Sequence, residues 1–128
     1  MTILYTATVH GAPRTKKNSQ QIVTNPKTHR PFVLPSKAYK EFEALSLAQL
    51  KRTEKPIARP VNVECVYYMP TLRRVDLCNL LEATCDILTR AGVLEDDNSG
   101  VVASHDGSRV LYDKNYPRTE ITITEATE

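Results

Sequence analysis

Alternating apolar and polar residues open the chain and predict a β-strand over residues 2–9. Two shorter strand patterns, at 20–24 and 31–34, enclose a turn-rich segment and predict a hairpin. Ser36 is a favourable N-cap, and the helical spacing of the apolar residues after it predicts a helix over about 37–52. These apolar residues are Ala38, Phe42, Leu45 and Leu47.

The second half of the chain carries the clearest patterns. Residues 61–69, rich in Val and Tyr, predict a strand. Asp76 stands at the N-cap position of a helix predicted over about 77–91, and Gly92 is a typical residue for its end. Further strands are predicted near 100–105, 109–112 and 119–124. The order of elements predicts an α+β fold with two main helices on a mixed or antiparallel sheet, and residues 1–128 as a single domain.

Composition narrows the class of protein. The 128 residues are 41% hydrophobic and 25% charged, which is typical of a soluble globular domain. No apolar stretch approaches the roughly 18 residues that span a bilayer, and the N-terminus lacks a signal-peptide pattern. Three cysteines without C-x-x-C spacing argue against a disulfide framework. We therefore expect a cytoplasmic protein with no membrane partner.

Charge is distributed unevenly along the chain. Residues 1–60 contain 11 Lys and Arg and 3 acidic residues, whereas residues 61–128 contain 6 Lys and Arg and 12 acidic residues. A basic half joined to an acidic half suggests a surface that binds a polyanion such as DNA. The alternative is that both sets of charges are merely solvated surface.

Two acidic groups frame the second predicted helix. Asp76 lies at its start, directly after Arg73 and Arg74, whereas Asp96 and Asp97 lie in the turn after its end. Carboxylate oxygens are the ligands that Mg²⁺ prefers, and Mg²⁺ promotes phosphodiester hydrolysis. Each group also has a simpler interpretation, because aspartate is common as a helix cap and in turns.

The segment RRVDLCNLLEATCDILTRAGVLEDDNSGVV, at 73–102, resembles the core of RusA-type Holliday junction resolvases. In that family a D-L-D-N-x-x-K motif opens a helix, and an L-x-x-A-G turn and an acidic D-D pair follow. Residues 13–20 resemble the family's basic N-terminal loop, 30–43 its hairpin and first helix, and 119–125 its closing strand. The resemblance therefore covers nearly the whole chain in the right order.

This resemblance implies a homodimer that binds four-way DNA junctions and nicks two strands symmetrically with Mg²⁺ as cofactor. The family's first motif aspartate falls on Asp76 and its asparagine on Asn79. The catalytic aspartate of the later pair falls on Asp97, with Asp96 before it. A phage or prophage origin is also common in such proteins.

Two motif positions differ from the family pattern. The second motif aspartate is Cys78 here, and the motif lysine is Glu82. Positions 78 and 82 are neighbours on one helix face, and a helical side chain leans toward the N-terminus. We therefore hypothesise that Glu82 supplies the carboxylate missing at position 78, which gives the catalytic set Asp76, Glu82 and Asp97, with Asp96 as a further metal ligand.

The changed pair also leaves other interpretations open. In one alternative, Glu82 is a solvated residue of a degenerate site. Cys78 would then pack against the core or a dimer face. A further alternative is a zinc site, although the spacing of its ligands fits no zinc module. These ligands would be Cys65, Cys78, Cys85 and His105.

Basic residues near the motif and in the N-terminal half are the candidates for phosphate contacts. They are Arg14, Lys16, Lys17, Lys27, Arg30, Lys37, Arg73 and Arg74. The function expected is that of a Mg²⁺-dependent, structure-selective endonuclease that resolves four-way junctions. The alternatives are a junction-binding protein that has lost cleavage and a nuclease for other branched DNA.

Overall fold

In the computed structural model, which describes residues 2–16, 21–34 and 36–126, two helices cover one face of a mixed β-sheet. The elements in chain order are β1 (Ile3–His10), β2 (Gln21–Thr24), β3 (Pro31–Leu34), α1 (Lys37–Gln49), β4 (Val61–Met69), α2 (Leu77–Arg90), β5 (Val102–Ser104), β6 (Arg109–Tyr112) and β7 (Arg118–Glu125). The predicted α+β class, with two helices and a mixed sheet, is confirmed.

Strand β4 lies at the centre of the sheet. It pairs antiparallel with β7, and β7 pairs antiparallel with β1. On its other side, β4 pairs in parallel with β5 near its beginning and with β6 near its end. Strands β2 and β3 form a separate hairpin, as predicted. Because α2 connects β4 to β5, the beginning of α2 lies close behind the end of β4.

The core lies between the sheet and the helices. Val61, Val63 and Cys65 of β4 are fully buried, because alternate side chains of a strand point to the same face. Helix α2 covers them with residues that include Leu80 and Leu88, which are also buried. This packing fixes the rotation of α2 and therefore decides which of its residues face solvent.

Helix α1 differs in detail from its prediction. Ser36 caps it as expected, since its hydroxyl accepts the N–H of Tyr39 at 3.0 Å, but the helix ends at Gln49. Its buried face consists of Tyr39, Phe42 and Ser46, while Leu45 is 47% exposed. The ring of Tyr39, and not the side chain of Leu45, is buried on this face, and the larger ring buries more apolar surface. Within the described ranges, no helix is long and apolar enough to cross a membrane.

Candidate active site and arginine groove

Asp76 is the N-cap of α2. Its Oδ1 accepts the backbone N–H groups of Cys78 at 2.9 Å and Asn79 at 3.3 Å. These contacts satisfy two of the N–H groups that every helix start leaves without a partner. Its Oδ2 accepts no hydrogen bond from the described residues, and the residue is exposed. The capping role is therefore confirmed, and it leaves one carboxylate oxygen accessible.

One face of α2 carries positions 78, 82 and 85, which follow one another at spacings of four and three residues. Cys78 and Glu82 are exposed. The prediction that Cys78 packs into the core is wrong, because Leu80 points to the core and Cys78 lies on nearly the opposite side of the helix. A dimer face remains a prediction for Cys78.

Cys85, two turns after Cys78 on the same face, is buried. The imidazole of His105, in the turn between β5 and β6, approaches it, with Nε2 at 3.9 Å from Sγ. His105 donates its Nδ1–H to the carbonyl of Val63 at 2.8 Å, because a carbonyl oxygen can only accept. The ring therefore covers this end of the helix face and places Nε2 next to the thiol.

Asp96 and Asp97 form the predicted turn after α2. Oδ1 of Asp96 accepts the N–H of Asp97 at 2.7 Å, and its Oδ2 accepts the side-chain N–H of Asn98 at 3.0 Å. The hydrogen bond from the Asp97 backbone is the main reason that the pKa of Asp96 is lowered. Both aspartates are exposed, so their carboxylates remain in contact with water.

The position of Asp97 relative to α2 follows from its effect on Cys85. Burial raises the pKa of the Cys85 thiol to about 12, and the negative charge of Asp97 contributes to that rise. Asp97 is therefore close to Cys85, whereas Cys78 and Asp76 lie about 10 Å or more toward the helix start. The carboxylates thus mark the two ends of one helix face.

The predicted ligand set is not gathered into one site. Across residues 2–16, 21–34 and 36–126, no three His, Cys, Asp or Glu side chains are close enough together to hold a metal ion. Neither the predicted Mg²⁺ ligands Asp76, Glu82, Asp96 and Asp97 nor the zinc alternative forms such a group. A metal ion at this face would therefore take one or two carboxylates from the chain, with other oxygens from water and substrate.

A basic groove opens next to Asp76. Arg14, Arg73 and Arg74 line it, and all three are exposed. Its other lining residues are Ala12, Pro13, Thr15, Ser36, Ala38, Met69, Pro70, Thr71 and Val75. No carboxylate of the described chain forms an ion pair with any of the three arginines. We call this surface the arginine groove.

Comparison with known proteins assigns the chain to a family. The family model for endodeoxyribonuclease RusA matches residues 5–124. The chain belongs to the RusA family. It is therefore an endodeoxyribonuclease of the Holliday junction resolvase family, and DNA is its substrate. None of the curated proteins matches the chain.

The other predicted DNA contacts of this RusA-family chain that the structure describes do not line the arginine groove. Lys27 and Arg30 occupy the exposed turn of the β2–β3 hairpin, and Lys37 is exposed at the start of α1. Lys16 instead forms an ion pair with Asp86 at 2.7 Å. Lys17 lies outside the described residues. The structure thus groups Arg14, Arg73 and Arg74 in one groove, and the other described candidates are not among its lining residues.

The ion pairs of Arg90 and Arg118 were not predicted from the sequence. Arg90 of α2 pairs with Glu43 of α1 at 2.6 Å. Arg118 lies 3.7 Å from the ring centre of Tyr68 and pairs with Asp113 at 2.9 Å. The hydrogen bond from Arg118 is the main cause of a lowered pKa of Asp113. No sequence signal predicts the Arg90–Glu43 pair, because its members are 47 residues apart.

Proposed function

We propose that this RusA-family chain is a Mg²⁺-dependent, structure-selective endonuclease that resolves four-way junctions by paired symmetric nicks. The observation that supports this function best is the arginine groove beside Asp76. Three exposed guanidinium groups, which form no ion pair with a carboxylate of the described residues, make a surface suited to a phosphate backbone. The family match supplies the substrate class, and the groove supplies a place for its backbone.

The groove would hold the DNA strand by charge. Each arginine offers a planar fork of N–H donors, which matches the geometry of phosphate oxygens. The first turn of α1, capped by Ser36, contributes the positive end of its helix dipole to the same groove. Phosphate contacts position a strand without reading its sequence, so selectivity for a junction would come from the shape of the DNA.

Asp76, Glu82, Asp96 and Asp97 are the residues that would hold Mg²⁺. Their carboxylate chemistry suits a hard cation, and Mg²⁺ commonly binds one or two protein carboxylates together with substrate phosphate oxygens. When bound, Mg²⁺ polarises the phosphoryl oxygen and lowers the pKa of water. Asp76 follows the groove residue Val75 in the sequence, and its Oδ2 is accessible, so it is the carboxylate best placed to act on a strand held in the groove.

In hydrolysis, a water oxygen forms a bond to phosphorus, one bridging P–O bond breaks, and the proton that the water loses passes through solvent to the leaving oxygen. The role proposed for Asp76 and Asp97 is to hold the reacting groups in place and to stabilise the charge that this step develops. The role proposed for Glu82 is to replace the carboxylate absent at Cys78. Its support is the exposure of both side chains on one helix face.

Paired nicks require two active sites, and we propose that a homodimer supplies them. Symmetric dimers are the commonest oligomers, and a two-fold axis matches two strands of a four-way junction. Sedimentation at working concentration tests this part directly. A cytoplasmic setting and a phage origin belong to the same proposal. The three cysteines, all free, are consistent with a reducing compartment.

A second candidate function is junction binding without cleavage. Cys78 removes a motif carboxylate, and no three-donor group is formed within the described ranges. Cysteine is a poor ligand for Mg²⁺. On this account, the arginine groove binds DNA, and Asp76, Glu82, Asp96 and Asp97 do not support cleavage. Cleavage of other branched DNA is a third possibility, which competition between junction and flap DNA separates from the first.

The deciding experiment is cleavage of a labelled, mobile four-way junction with Mg²⁺ or with EDTA, beside a gel shift of the same DNA. The panel contains the wild-type chain, Asp97→Asn, and Glu54→Gln as a control for loss of an exposed carboxylate away from the groove. Symmetric nicks that require Mg²⁺ and disappear only with Asp97→Asn would support a resolvase. A gel shift without nicks in any divalent metal would favour the binding protein.

A further inference from the structure

Lys16 lies in a cleft between the two helices. Its Nζ is 2.7 Å from Oδ2 of Asp86 on α2 and 5.8 Å from the ring centre of Tyr39 on α1. The two charged side chains are 34% and 37% exposed, so water screens the pair only in part. Tyr39 beneath them is buried. One side chain of the basic N-terminal loop therefore contacts both helices.

Residues 13–16 follow an alternating pattern of burial. Pro13 and Thr15 are buried, Arg14 is exposed in the arginine groove, and Lys16 is held in the helix cleft. Arg14 and Lys16, which are two residues apart, thus line different clefts. If Lys16 left the cleft, the segment that carries Arg14 would lose an ion pair that joins it to α2.

We infer that Lys16 is a positioning residue for DNA binding: its ion pair with Asp86 holds the N-terminal loop so that Arg14 faces the junction backbone. This inference rests on the DNA-binding part of the proposed function. It gives Asp86 a role in binding a polyanion although Asp86 is itself negatively charged. Lys16 acts through the fold rather than by direct contact with phosphate.

The inference predicts the sign of a mutational effect. If Lys16 were a direct phosphate contact, Asp86→Asn would release it and remove a repulsive charge, so junction binding would become tighter. If Lys16 positions the loop, Asp86→Asn frees the loop and binding becomes weaker. For a partly exposed ion pair we expect a loss of about two- to fivefold. The two accounts therefore differ in direction and not only in size.

The test measures junction affinity at one fixed salt concentration and, separately, the cleavage rate at saturating enzyme. The variants are Asp86→Asn, the conservative Asp86→Glu, and the charge-matched control Glu54→Gln. Weaker binding by Asp86→Asn, rescue by Asp86→Glu, and an unchanged saturating cleavage rate would support the inference. Faster amide hydrogen exchange in residues 11–16 of Asp86→Asn would show that the loop has been released.

Unchanged or tighter binding by Asp86→Asn would overturn the inference, as would a failure of Asp86→Glu to restore affinity. A reduced saturating cleavage rate with unchanged affinity would also overturn it, because it would place Asp86 in the chemistry. The failure of the proposed function has a different signature. In that case the wild-type chain itself would not shift the junction.

Discussion

The helix cleft and the arginine groove both contain basic residues, but they differ in whether those residues form ion pairs within the protein. In the helix cleft, Lys16 pairs with Asp86 and Arg90 pairs with Glu43. In the arginine groove, Arg14, Arg73 and Arg74 form no ion pair with the described carboxylates. In the helix cleft, Lys16 and Arg90 are therefore neutralised by carboxylates of the protein. In the arginine groove, the three arginines are available to an anionic ligand.

The contrast shows why a count of basic residues is a poor guide to a DNA surface. A cation that already has a carboxylate partner gains less from a phosphate, because the existing pair must be broken first. An arginine without such a partner has no such cost.

The largest effect concerns Glu82 on α2. We expect Glu82→Gln to lower metal-dependent junction cleavage by about 100-fold or more, the scale typical for loss of a group that acts in the chemical step. Junction affinity should stay within about twofold, since Glu82 is not a groove residue. Cleavage and gel-shift assays on the same preparation measure both. Glu54→Gln is the matched control, and cleavage by Glu82→Gln at the wild-type rate would rule out the compensating role.

The next effect concerns the groove itself. Arg73→Ala combined with Arg74→Ala should weaken junction binding at least about tenfold and reduce the slope of log affinity against log salt by about 2. The reason is that each arginine neutralises a phosphate and releases a counterion. Titrations at several salt concentrations measure both quantities. An unaltered salt slope would contradict phosphate contact in the groove.

A smaller effect is expected in the helix cleft. Arg90→Ala removes the same charge as Arg74→Ala, but we expect it to change junction affinity by less than about twofold, because Arg90 is already paired with Glu43. Direct comparison of these two single variants is the sharpest form of the contrast. Equal losses of affinity would mean that net charge, and not pairing, governs binding.

The smallest effect concerns thiol chemistry along α2. Burial raises the pKa of Cys85 to about 12 from 9, whereas Cys78 is exposed. The raised pKa means that the neutral thiol is favoured in the fold. The contribution of the neutral Cys85 thiol to the free energy of unfolding is complete below pH 9 and is lost as the pH rises toward 12. At pH 8 an alkylating reagent should therefore modify Cys78 quickly and Cys65 and Cys85 slowly. Mass mapping of the modified peptides would contradict this if Cys85 reacted first.

Much of the fold could be predicted from local pattern. The Val- and Tyr-rich run at 61–69 and the capped helix that starts after Asp76 appear at the expected positions. Burial was harder to predict where a helix has apolar residues on more than one side. In α1, Tyr39 is buried and Leu45 is exposed, because tertiary packing and not spacing fixed the rotation of the helix.

The candidate site was predictable in its residue types but not in its pairing. Arg73, Arg74 and Asp76 lie close in sequence, so their proximity followed directly. The partner of Lys16 lies 70 residues away, and nothing in the local pattern distinguishes Lys16 from Arg14. The distance between the two acidic groups depends on the length of α2 and on the turn after it, which a motif does not specify.

The most direct test of the central claim uses Cys78, which is exposed two residues after Asp76. A radical-generating iron chelate attached to this thiol, in a chain with Cys65 and Cys85 left intact, would cut DNA bound next to the arginine groove. With a four-way junction the account predicts cuts close to the branch point on symmetry-related strands, and their loss when Arg73 and Arg74 are both replaced by alanine. Cuts far along the arms, or a fully bound junction without cuts, would contradict the account.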